Sequence, residues 1–249
     1  MRIIGLIPAR YSSSRLPGKP LMLIGDTSLV MHVHNRALKA NSLSDVYVAT
    51  DDERIALHVE KSGGKAVMTS TVHESGTERC NEAVSSLGLE CDYIINIQGD
   101  EPFIDPDQID DLARLCNGET EIATLFKKIT DEGELFDENI PKVVTGEKDN
   151  ALYFSRAALP YHRGLQKKDW LKEGDFYKHI GIYAYRRDIL ATIAGLSPSV
   201  TERMESLEQL RWLAHGYGIK AVETQIEGLS VDTEDDLKRA NRIFKDMGQ

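Results

Sequence analysis

Three cations in a loop that contains no acid are the first residues of this sequence that could do chemistry. Arg10, Arg15 and Lys19 follow an apolar segment at residues 3–7, and residues 9–25 hold no Asp or Glu, so this stretch carries +3 in a chain of net charge −10. The carboxyl end of the first strand of an open α/β sheet is a common place for an anionic ligand. A basic surface loop is the alternative, but the local charge opposes the overall charge, which favours a phosphate site.

This loop matches neither of the two best-known phosphate-binding patterns. A P-loop has a glycine where this sequence has Ser13, and Lys19 is followed by Pro20. The dinucleotide-binding pattern matches only at residues 216–221, where it precedes an apolar segment rather than following one. The sequence therefore indicates a phosphate loop of another type.

Two aspartates could hold a metal ion beside this loop. Asp100 follows the apolar segment 93–97 and lies next to Gly99, which lets a ligand approach the backbone. Mg²⁺ is usually held by one or two carboxylates together with phosphate oxygens and water. Asp232 could supply the second carboxylate, but it could equally cap the last predicted helix, as could Thr233. The sequence leaves these two interpretations of Asp232 open.

Other polar residues have an ordinary structural explanation on local grounds. Residues 73–79 contain Gly76 and Thr77, and Thr77 is expected to cap a helix that runs to about residue 87. A base-recognition loop is the alternative there. His179 lies in an aromatic strand, and a lone histidine is more often structural than catalytic. Glu208 lies in a predicted amphipathic helix whose acids are expected to face water.

Composition limits the class of protein. The chain has 249 residues, 41% hydrophobic and 28% charged, which predicts one large α/β domain over 1–249 with an inserted subdomain at about 139–188. The acidic balance argues against nucleic acid as a partner. No apolar run approaches the ~20 residues of a membrane span, and no signal-peptide pattern is seen, so we expect no membrane insertion. Three cysteines without a C-x-x-C pair indicate reduced thiols and a cytoplasmic location.

Short apolar segments alternate with helical patterns, which predicts a mostly parallel sheet with helices on both faces. Pro8 is expected to end the first strand, because proline has no N–H to donate. Strands are expected at residues 3–7, 46–49, 66–68, 93–97, 122–126, 142–144, 151–155, 177–186 and 219–222, and helices at about 28–40, 53–62, 77–87, 202–215 and from 232 onward.

Eight segments, in order along almost the whole chain, resemble the 3-deoxy-manno-octulosonate cytidylyltransferase (CMP-Kdo synthetase) family. They read IPARYSSSRLPGKPL, VATDDERI, HESGTER, NIQGDEP, KVV…ALYFSRAALP, KHIGIYAYR, SLEQLR and VDTEDDL. The first also resembles the signature loop of sugar nucleotidylyltransferases. The resemblance implies a Rossmann-like nucleotide-diphospho-sugar transferase fold with a mostly parallel central sheet, an inserted dimerisation or lid subdomain, a homodimer and a requirement for Mg²⁺.

The same resemblance implies an activity and a set of site residues. The family transfers CMP from CTP to 3-deoxy-D-manno-octulosonate (Kdo), releasing pyrophosphate, in the bacterial cytoplasm and for lipopolysaccharide biosynthesis. The catalytic residues it implies are Arg10, Lys19, Asp100 and Asp232, of which Asp100 and Asp232 coordinate the metal. The substrate-binding residues it implies are Ala9 on the triphosphate, Ser75, Gly76 and Arg79 on cytosine, and Gln98, Arg156, His179, Glu208 and Gln209 on Kdo.

Three other functions are weighed against this one. A cytidylyltransferase for another acid sugar, such as a sialic acid, would have a similar triphosphate loop, but KHIGIYAYR and SLEQLR argue against it. A non-catalytic CTP-binding sensor would not need Asp100, Asp232 and Lys19 together. A structural protein with this fold would not need an acid-free basic loop.

Overall fold

The computed structural model describes residues 1–12 and 16–246, so Arg15 lies outside the described residues. The strands are β1 (Ile3–Ala9), β2 (Leu23–Ile24), β3 (Thr27–Ser28), β4 (Asp45–Thr50), β5 (Ala66–Met68), β6 (Tyr93–Asn96), β7 (Ile122–Lys128), β8 (Lys142–Thr145), β9 (Ala151–Ser155), β10 (Tyr177–Arg186) and β11 (Ile219–Glu223). The α-helices are α1 (Leu29–Ala37), α2 (Glu53–Lys61), α3 (Gly76–Ser86), α4 (Pro106–Ala113), α5 (Glu132–Phe136), α6 (Trp170–Glu173), α7 (Arg187–Ile193), α8 (Val200–Glu205), α9 (Gln209–Ala214) and α10 (Glu234–Asp246).

The central sheet has the strand order β11-β7-β10-β6-β1-β4-β5. Neighbouring strands are parallel except at β10, which runs antiparallel to both β6 and β7. β8 pairs with β10 and carries β9 on its other side, and β2 and β3 form a separate small hairpin. The predicted α/β architecture with a mostly parallel sheet is confirmed.

The sheet separates two apolar clusters. Alternate residues of β1 point to opposite faces, so Ile3 and Ile7 pack on one side and Ile4 and Leu6 on the other. Helices α1, α2 and α4 cover the first face, and α3, α7 and α9 cover the second. Burial on both faces explains why β1 reads as a continuous apolar run rather than an alternating one.

Pro8 lies inside β1, so the prediction that it ends the strand is wrong. The Ile97 N–H donates to the Leu6 carbonyl (2.8 Å), which shows that Leu6 faces β6, and Pro8 faces the same side. Because β6 ends at Asn96, the absent proline N–H removes no ladder hydrogen bond on that side. On its other side β1 stays paired with β4 as far as Ala9.

The predicted helix over 202–215 is also wrong, because the chain breaks into α8 and α9. Ser206, with φ 51° and ψ 47°, adopts a left-handed conformation between them. The end of α8 is bound to the end of β9: the Glu205 carboxylate accepts from the Ser155 hydroxyl (2.6 Å) and the Arg156 N–H (2.9 Å). These tertiary contacts outweigh the helical periodicity of the segment.

The structure corrects the predicted cap of α3 and decides between the two predicted caps of α10. The cap of α3 is Ser75, whose hydroxyl accepts from the Glu78 N–H (3.1 Å), and the prediction of Thr77 is wrong. At α10, the Thr233 hydroxyl accepts from the Asp236 N–H (3.2 Å) and the Asp236 carboxylate accepts from the Thr233 N–H (2.9 Å). This reciprocal pair caps the helix, so Asp232 is not needed as its cap.

The division into a single domain with an inserted subdomain at 139–188 stays a prediction. Within that range β8 and β9 branch from the start of β10, whereas β10 itself is an interior strand of the central sheet. Cys80, Cys91 and Cys116 are free thiols, as predicted. Within the described chain, none of the helices combines the length and the apolar character needed to cross a membrane.

Candidate active site

A cavity of about 360 Å³ opens at the carboxyl ends of β1 and β6. The cavity is lined by the end of β1, by the segment that follows β6 and by the start of α3. Asp232, which precedes the Thr233 cap, also lines it. This is the edge at which the strands of a parallel α/β sheet present their loops to a ligand. The predicted site residues that line it are Ala9, Arg10, Lys19, Ser75, Gly76, Arg79, Gln98, Asp100 and Asp232.

One lysine joins two carboxylates in this cavity. The Lys19 Nζ atom donates to Asp100 Oδ2 (2.8 Å) and to Asp232 Oδ1 (3.0 Å). Burial alone would lower the pKa of Lys19, but the charges and hydrogen bonds of Asp100 and Asp232 outweigh it and raise that pKa. The lysine therefore stays protonated, and residues that are far apart in the chain meet at one point.

Close backbone approach holds Asp100 in place. A Cβ atom on Gly99 would lie 2.5 Å from the carbonyl oxygen of Pro8, so only glycine fits between the two strand ends. The Val231 N–H donates to the Asp100 carbonyl (2.9 Å), which ties the segment before Asp232 to the segment after β6. These contacts bring the two aspartates together.

The donor set fits Mg²⁺. The two carboxylates already converge on a single positive charge, the ammonium group of Lys19. Across residues 1–12 and 16–246 there is no cluster of three or more His, Cys, Asp or Glu side chains that could hold a metal ion by itself. Two carboxylates that leave the other ligands to phosphate oxygens and water suit Mg²⁺, which keeps several non-protein ligands.

The residues predicted to hold the base lie where the segment after β5 meets α3. Ser75 and Gly76 line the cavity where α3 begins, and the first N–H groups of any helix lack acceptors within the helix itself. Arg79 is buried and its guanidinium donates to Asp51 (2.8 Å) and to Thr69 Oγ1 (2.6 Å). In this structure Arg79 joins the ends of β4 and β5, while its role in binding cytosine stays a prediction.

The residues predicted to bind the sugar are less concentrated. Gln98 lines the cavity and donates to the Gly181 carbonyl (2.8 Å), which connects it to β10. Arg156 donates to the backbone carbonyls of Glu205 (2.7 Å) and Glu138 (2.9 Å), which are uncharged partners. Four predicted sugar-binding residues lie outside the lining of the cavity, namely Arg156, His179, Glu208 and Gln209.

His179 and Glu208 belong to a polar cluster between β10 and α9. The Thr124 hydroxyl and His179 Nε2 form a hydrogen bond (2.9 Å), and burial lowers the pKa of His179 to about 3, so the ring is neutral. The Thr77 hydroxyl donates to Glu208 (3.0 Å), whose pKa is raised by burial. The Trp212 indole nitrogen is buried there without a partner in the described part of the chain.

Sequence reasoning missed three residues that shape these sites. Thr124 and Asp51 hold His179 and Arg79, and both lie in or after strands, where the alternation pattern marks them only as sheet residues. Burial and the nearby Asp100 raise the pKa of Glu101 to about 7. The NIQGDEP segment was a signal for Glu101, because it places a second acid next to Asp100.

Comparison with known proteins places these observations in context. Residues 4–225 match a protein family described as Cytidylyltransferase. The chain is 50% identical over 238 residues, 95% of each chain, to 3-deoxy-manno-octulosonate cytidylyltransferase of Cytophaga hutchinsonii. It is 48% identical over 242 residues, 96% of each chain, to 8-amino-3,8-dideoxy-manno-octulosonate cytidylyltransferase of Shewanella pealeana.

A solved structure is similar over the whole length. It is described as CMP:2-keto-3-deoxy-manno-octonic acid synthetase complexed with CTP, and it superposes with a TM-score of 0.92 at 39% identity. The superposition covers 99% of this chain and 100% of the other.

Proposed function

Because this chain belongs to the cytidylyltransferase family, and is therefore a nucleotidyltransferase, we propose that it transfers CMP from CTP to Kdo, forming CMP-Kdo and releasing pyrophosphate. The observation that carries the proposal is the meeting of Lys19 with Asp100 and Asp232 in a cavity at the carboxyl ends of β1 and β6. A cation beside two carboxylates suits a triphosphate that arrives with a divalent metal. The similar solved structure complexed with CTP supports the nucleotide.

The charges of the site account for the chemistry. CTP and a sugar acid are both anions, so Arg10 and Lys19 offset their repulsion and stabilise the charge that develops on the departing pyrophosphate. Asp100 and Asp232 would hold Mg²⁺, which would supply Lewis-acid polarisation of the phosphates when bound. The anomeric hydroxyl oxygen of the sugar forms a bond to the α-phosphorus, the bond from that phosphorus to pyrophosphate breaks, and the hydroxyl proton is released.

The sugar lies against β10 and the α8–α9 break in this proposal. Arg156 is the partner of the sugar carboxylate, because its guanidinium is hydrogen-bonded here to neutral carbonyls and can pair with a carboxylate in bidentate fashion. His179 is neutral and contributes hydrogen bonds rather than charge. Gln98, Glu208 and Gln209 complete the set, and positioning of the two reactants supplies much of the rate.

A second acceptor sugar has a specific observation in its favour. The relative from Shewanella pealeana is an 8-amino-3,8-dideoxy-manno-octulosonate cytidylyltransferase, and its identity to this chain is close to that of the Kdo relative. The two sugars share the carboxylate and the anomeric hydroxyl, so the groups assigned above serve either one. Kdo remains our proposal, and the acceptor comparison below distinguishes them.

The test is pyrophosphate release from purified protein with CTP and Mg²⁺, with Kdo, its 8-amino analogue and a sialic acid as parallel acceptors. We expect release with Kdo at a higher kcat/KM than with either other sugar. Preference for the 8-amino sugar or for sialic acid would keep the nucleotide site and overturn the acceptor. Binding of CTP without release from any acceptor would favour the sensor, and absence of CTP binding would favour a structural protein.

The assembly and the setting are also proposals. Large apolar side chains are exposed on β9 and α8, including Leu152 (60%), Val200 (64%) and Met204 (80%), and the Ser155–Glu205 hydrogen bond joins these two elements. A second copy of the chain that covers this surface would form the expected homodimer. Size-exclusion chromatography with light scattering measures the mass of the particle in solution. The cytoplasmic location and a role in lipopolysaccharide biosynthesis stay predictions.

A further inference from the structure

The segment that delivers Asp232 to the active site has no regular secondary structure of its own. Residues 224–231 connect the end of β11 with the start of the α10 cap, and we call this segment the strap. A carboxylate that must meet a metal ion cannot be placed accurately by an unsupported stretch of this length, because a displacement of about 1 Å can cost about a hundredfold in rate. The contacts that hold the strap therefore matter to the site.

The strap is tied down by backbone contacts at both ends. At its start, the Thr224 N–H donates to the Phe126 carbonyl (2.8 Å) and continues the pairing of β11 with β7. At its end, Val231 is fully buried and its N–H donates to the Asp100 carbonyl (2.9 Å). Between them, a Cβ on Gly228 would lie 3.2 Å from the Glu101 carboxylate, so the strap passes close to the residue after Asp100.

A single charged side chain holds the middle of the strap. Glu227 is the only charged residue in the sequence of 224–231. Its carboxylate accepts from Lys127 (3.0 Å) on β7 and from Lys178 (2.5 Å) on β10, and Lys178 also donates to Glu134 (2.5 Å) on α5. The Lys178 side chain is only 7% exposed, whereas the Glu227 side chain is 54% exposed, so water partly screens this ion pair and its role is to fix position rather than to add much stability.

We propose that Glu227 is a positioning residue for the metal site, acting through the strap to hold Asp232 opposite Asp100. It is placed to do so because Lys127 and Lys178 project from adjacent strands of the rigid sheet, whereas Glu227 projects from the irregular strap. The inference rests on the proposed function, since it takes Asp100 and Asp232 as the carboxylates that hold Mg²⁺. Glu227 itself touches neither aspartate and is not a catalytic residue.

The substitution Glu227→Gln tests this without leaving a buried charge unpaired. The amide keeps the shape and one acceptor oxygen, Lys178 keeps Glu134, and Lys127 lies near enough to the surface to reach water. Glu223→Gln is the matched control: Glu223 is an exposed acid at the end of β11 that contacts Gln225 at the start of the strap, whereas Lys127 and Lys178 of the sheet bind Glu227. Thermal melting of each variant establishes that it is folded.

The readout is the affinity for CTP by calorimetry, measured once with saturating Mg²⁺ and once in EDTA. The CTP affinity with Mg²⁺ divided by the CTP affinity in EDTA reports how much the metal, held by the two carboxylates, strengthens nucleotide binding. We expect Glu227→Gln to lower this ratio by about tenfold, as supporting groups around a metal site typically do, while the affinity in EDTA and the ratio in Glu223→Gln stay at the wild-type values.

Two results would overturn the proposal. One is an unchanged ratio in Glu227→Gln, and the other is an equal loss of affinity with Mg²⁺ and in EDTA, which would indicate a general structural effect. If the wild-type protein itself shows no gain of CTP affinity with Mg²⁺, the proposed function fails first, and the inference fails with it. If the wild-type protein gains CTP affinity with Mg²⁺ and Glu227→Gln gains the same amount, only the positioning role of Glu227 is rejected.

Discussion

The proposed nucleotide side and the proposed sugar side of the candidate active site are built in different ways. On the nucleotide side, Lys19, Asp100 and Asp232 meet in one cavity and are joined by direct hydrogen bonds. On the sugar side, Arg156 and His179 lie outside that cavity and each is held by its own partners. The first is assembled from loops at the ends of parallel strands, and the second from the antiparallel β10, the end of β9 and a broken helix.

The difference shows what positions the side chains in each half of the site. Loops at the carboxyl ends of parallel strands share one sheet edge, so topology alone brings their side chains together. The sugar side has no such common edge, and its residues are oriented by individual contacts such as Glu205 with Arg156. The two halves should therefore respond differently to substitution.

The largest expected effect is on the nucleotide side. Asp100→Asn removes a carboxylate from the pair that meets Lys19, and we expect turnover to fall by about a hundredfold to a thousandfold in a folded protein. Steady-state pyrophosphate release over a range of Mg²⁺ concentrations measures it, with circular dichroism as the folding control. Wild-type turnover at limiting Mg²⁺ would contradict the metal assignment.

A sugar-side change should separate the two halves. Arg156→Lys keeps the charge but loses the planar fork that suits a carboxylate, so we expect KM for Kdo to rise by about tenfold. The affinity for CTP should be unchanged, because Arg156 lies outside the cavity that holds the nucleotide residues. A parallel loss of CTP affinity would show that the two halves are not independent.

A substitution at Gly99 should lower the stability of the fold as well as displace Asp100. Gly99→Ala places a Cβ atom 2.5 Å from the Pro8 carbonyl oxygen, and neither strand end can move without disturbing the sheet. We expect the free energy of unfolding to fall by about 1–3 kcal/mol, measured by urea denaturation. Gly195→Ala is a control, because its nearest contact would lie at an ordinary 3.7 Å. Equal effects of both substitutions would argue against a special fit at Gly99.

The smallest expected effect is on how the free energy of unfolding depends on pH through Glu227 in the strap. The hydrogen bond from Lys178 is the main reason that the pKa of Glu227 falls from 4.5 to about 2. A lowered folded-state pKa stabilises the folded protein above the unfolded value, and this stabilisation is lost as pH falls from about 5 towards 2. The difference in free energy of unfolding between wild type and Glu227→Gln should be constant from pH 7 to 5 and shrink below it. A difference that grows on acidification would contradict this assignment.

Several parts of the structure could be predicted from the sequence because their signals are local. The apolar run of β1 marks a buried strand, and the structure has it. The glycine next to Asp100 is expected from the sequence to admit a ligand, and the group that approaches it in the structure is the Pro8 carbonyl. The strands predicted at 66–68, 151–155 and 177–186 coincide with β5, β9 and β10. In each case the residue pattern and the final packing favour the same conformation.

Other parts could not be predicted, because distant contacts decide them. The helical pattern over 202–215 is continuous, yet the contacts of Glu205 with β9 end α8 and leave Ser206 in a left-handed conformation. Pro8 lies within β1 only because β6 ends earlier on that side. A residue pattern holds no information about where a neighbouring strand stops.

The sequence by itself determined the family, the parallel α/β architecture and the residues available for a phosphate and metal site, because each depends on residue types and their order. Only the tertiary structure decided where the Asp232 carboxylate lies. The sequence leaves it as either helix cap or metal ligand, and the fold assigns the cap to Thr233 and turns Asp232 to Lys19. The physical reason is distance along the chain: Asp100 lies 81 residues and Asp232 lies 213 residues after Lys19. Only the packed sheet brings the three side chains together.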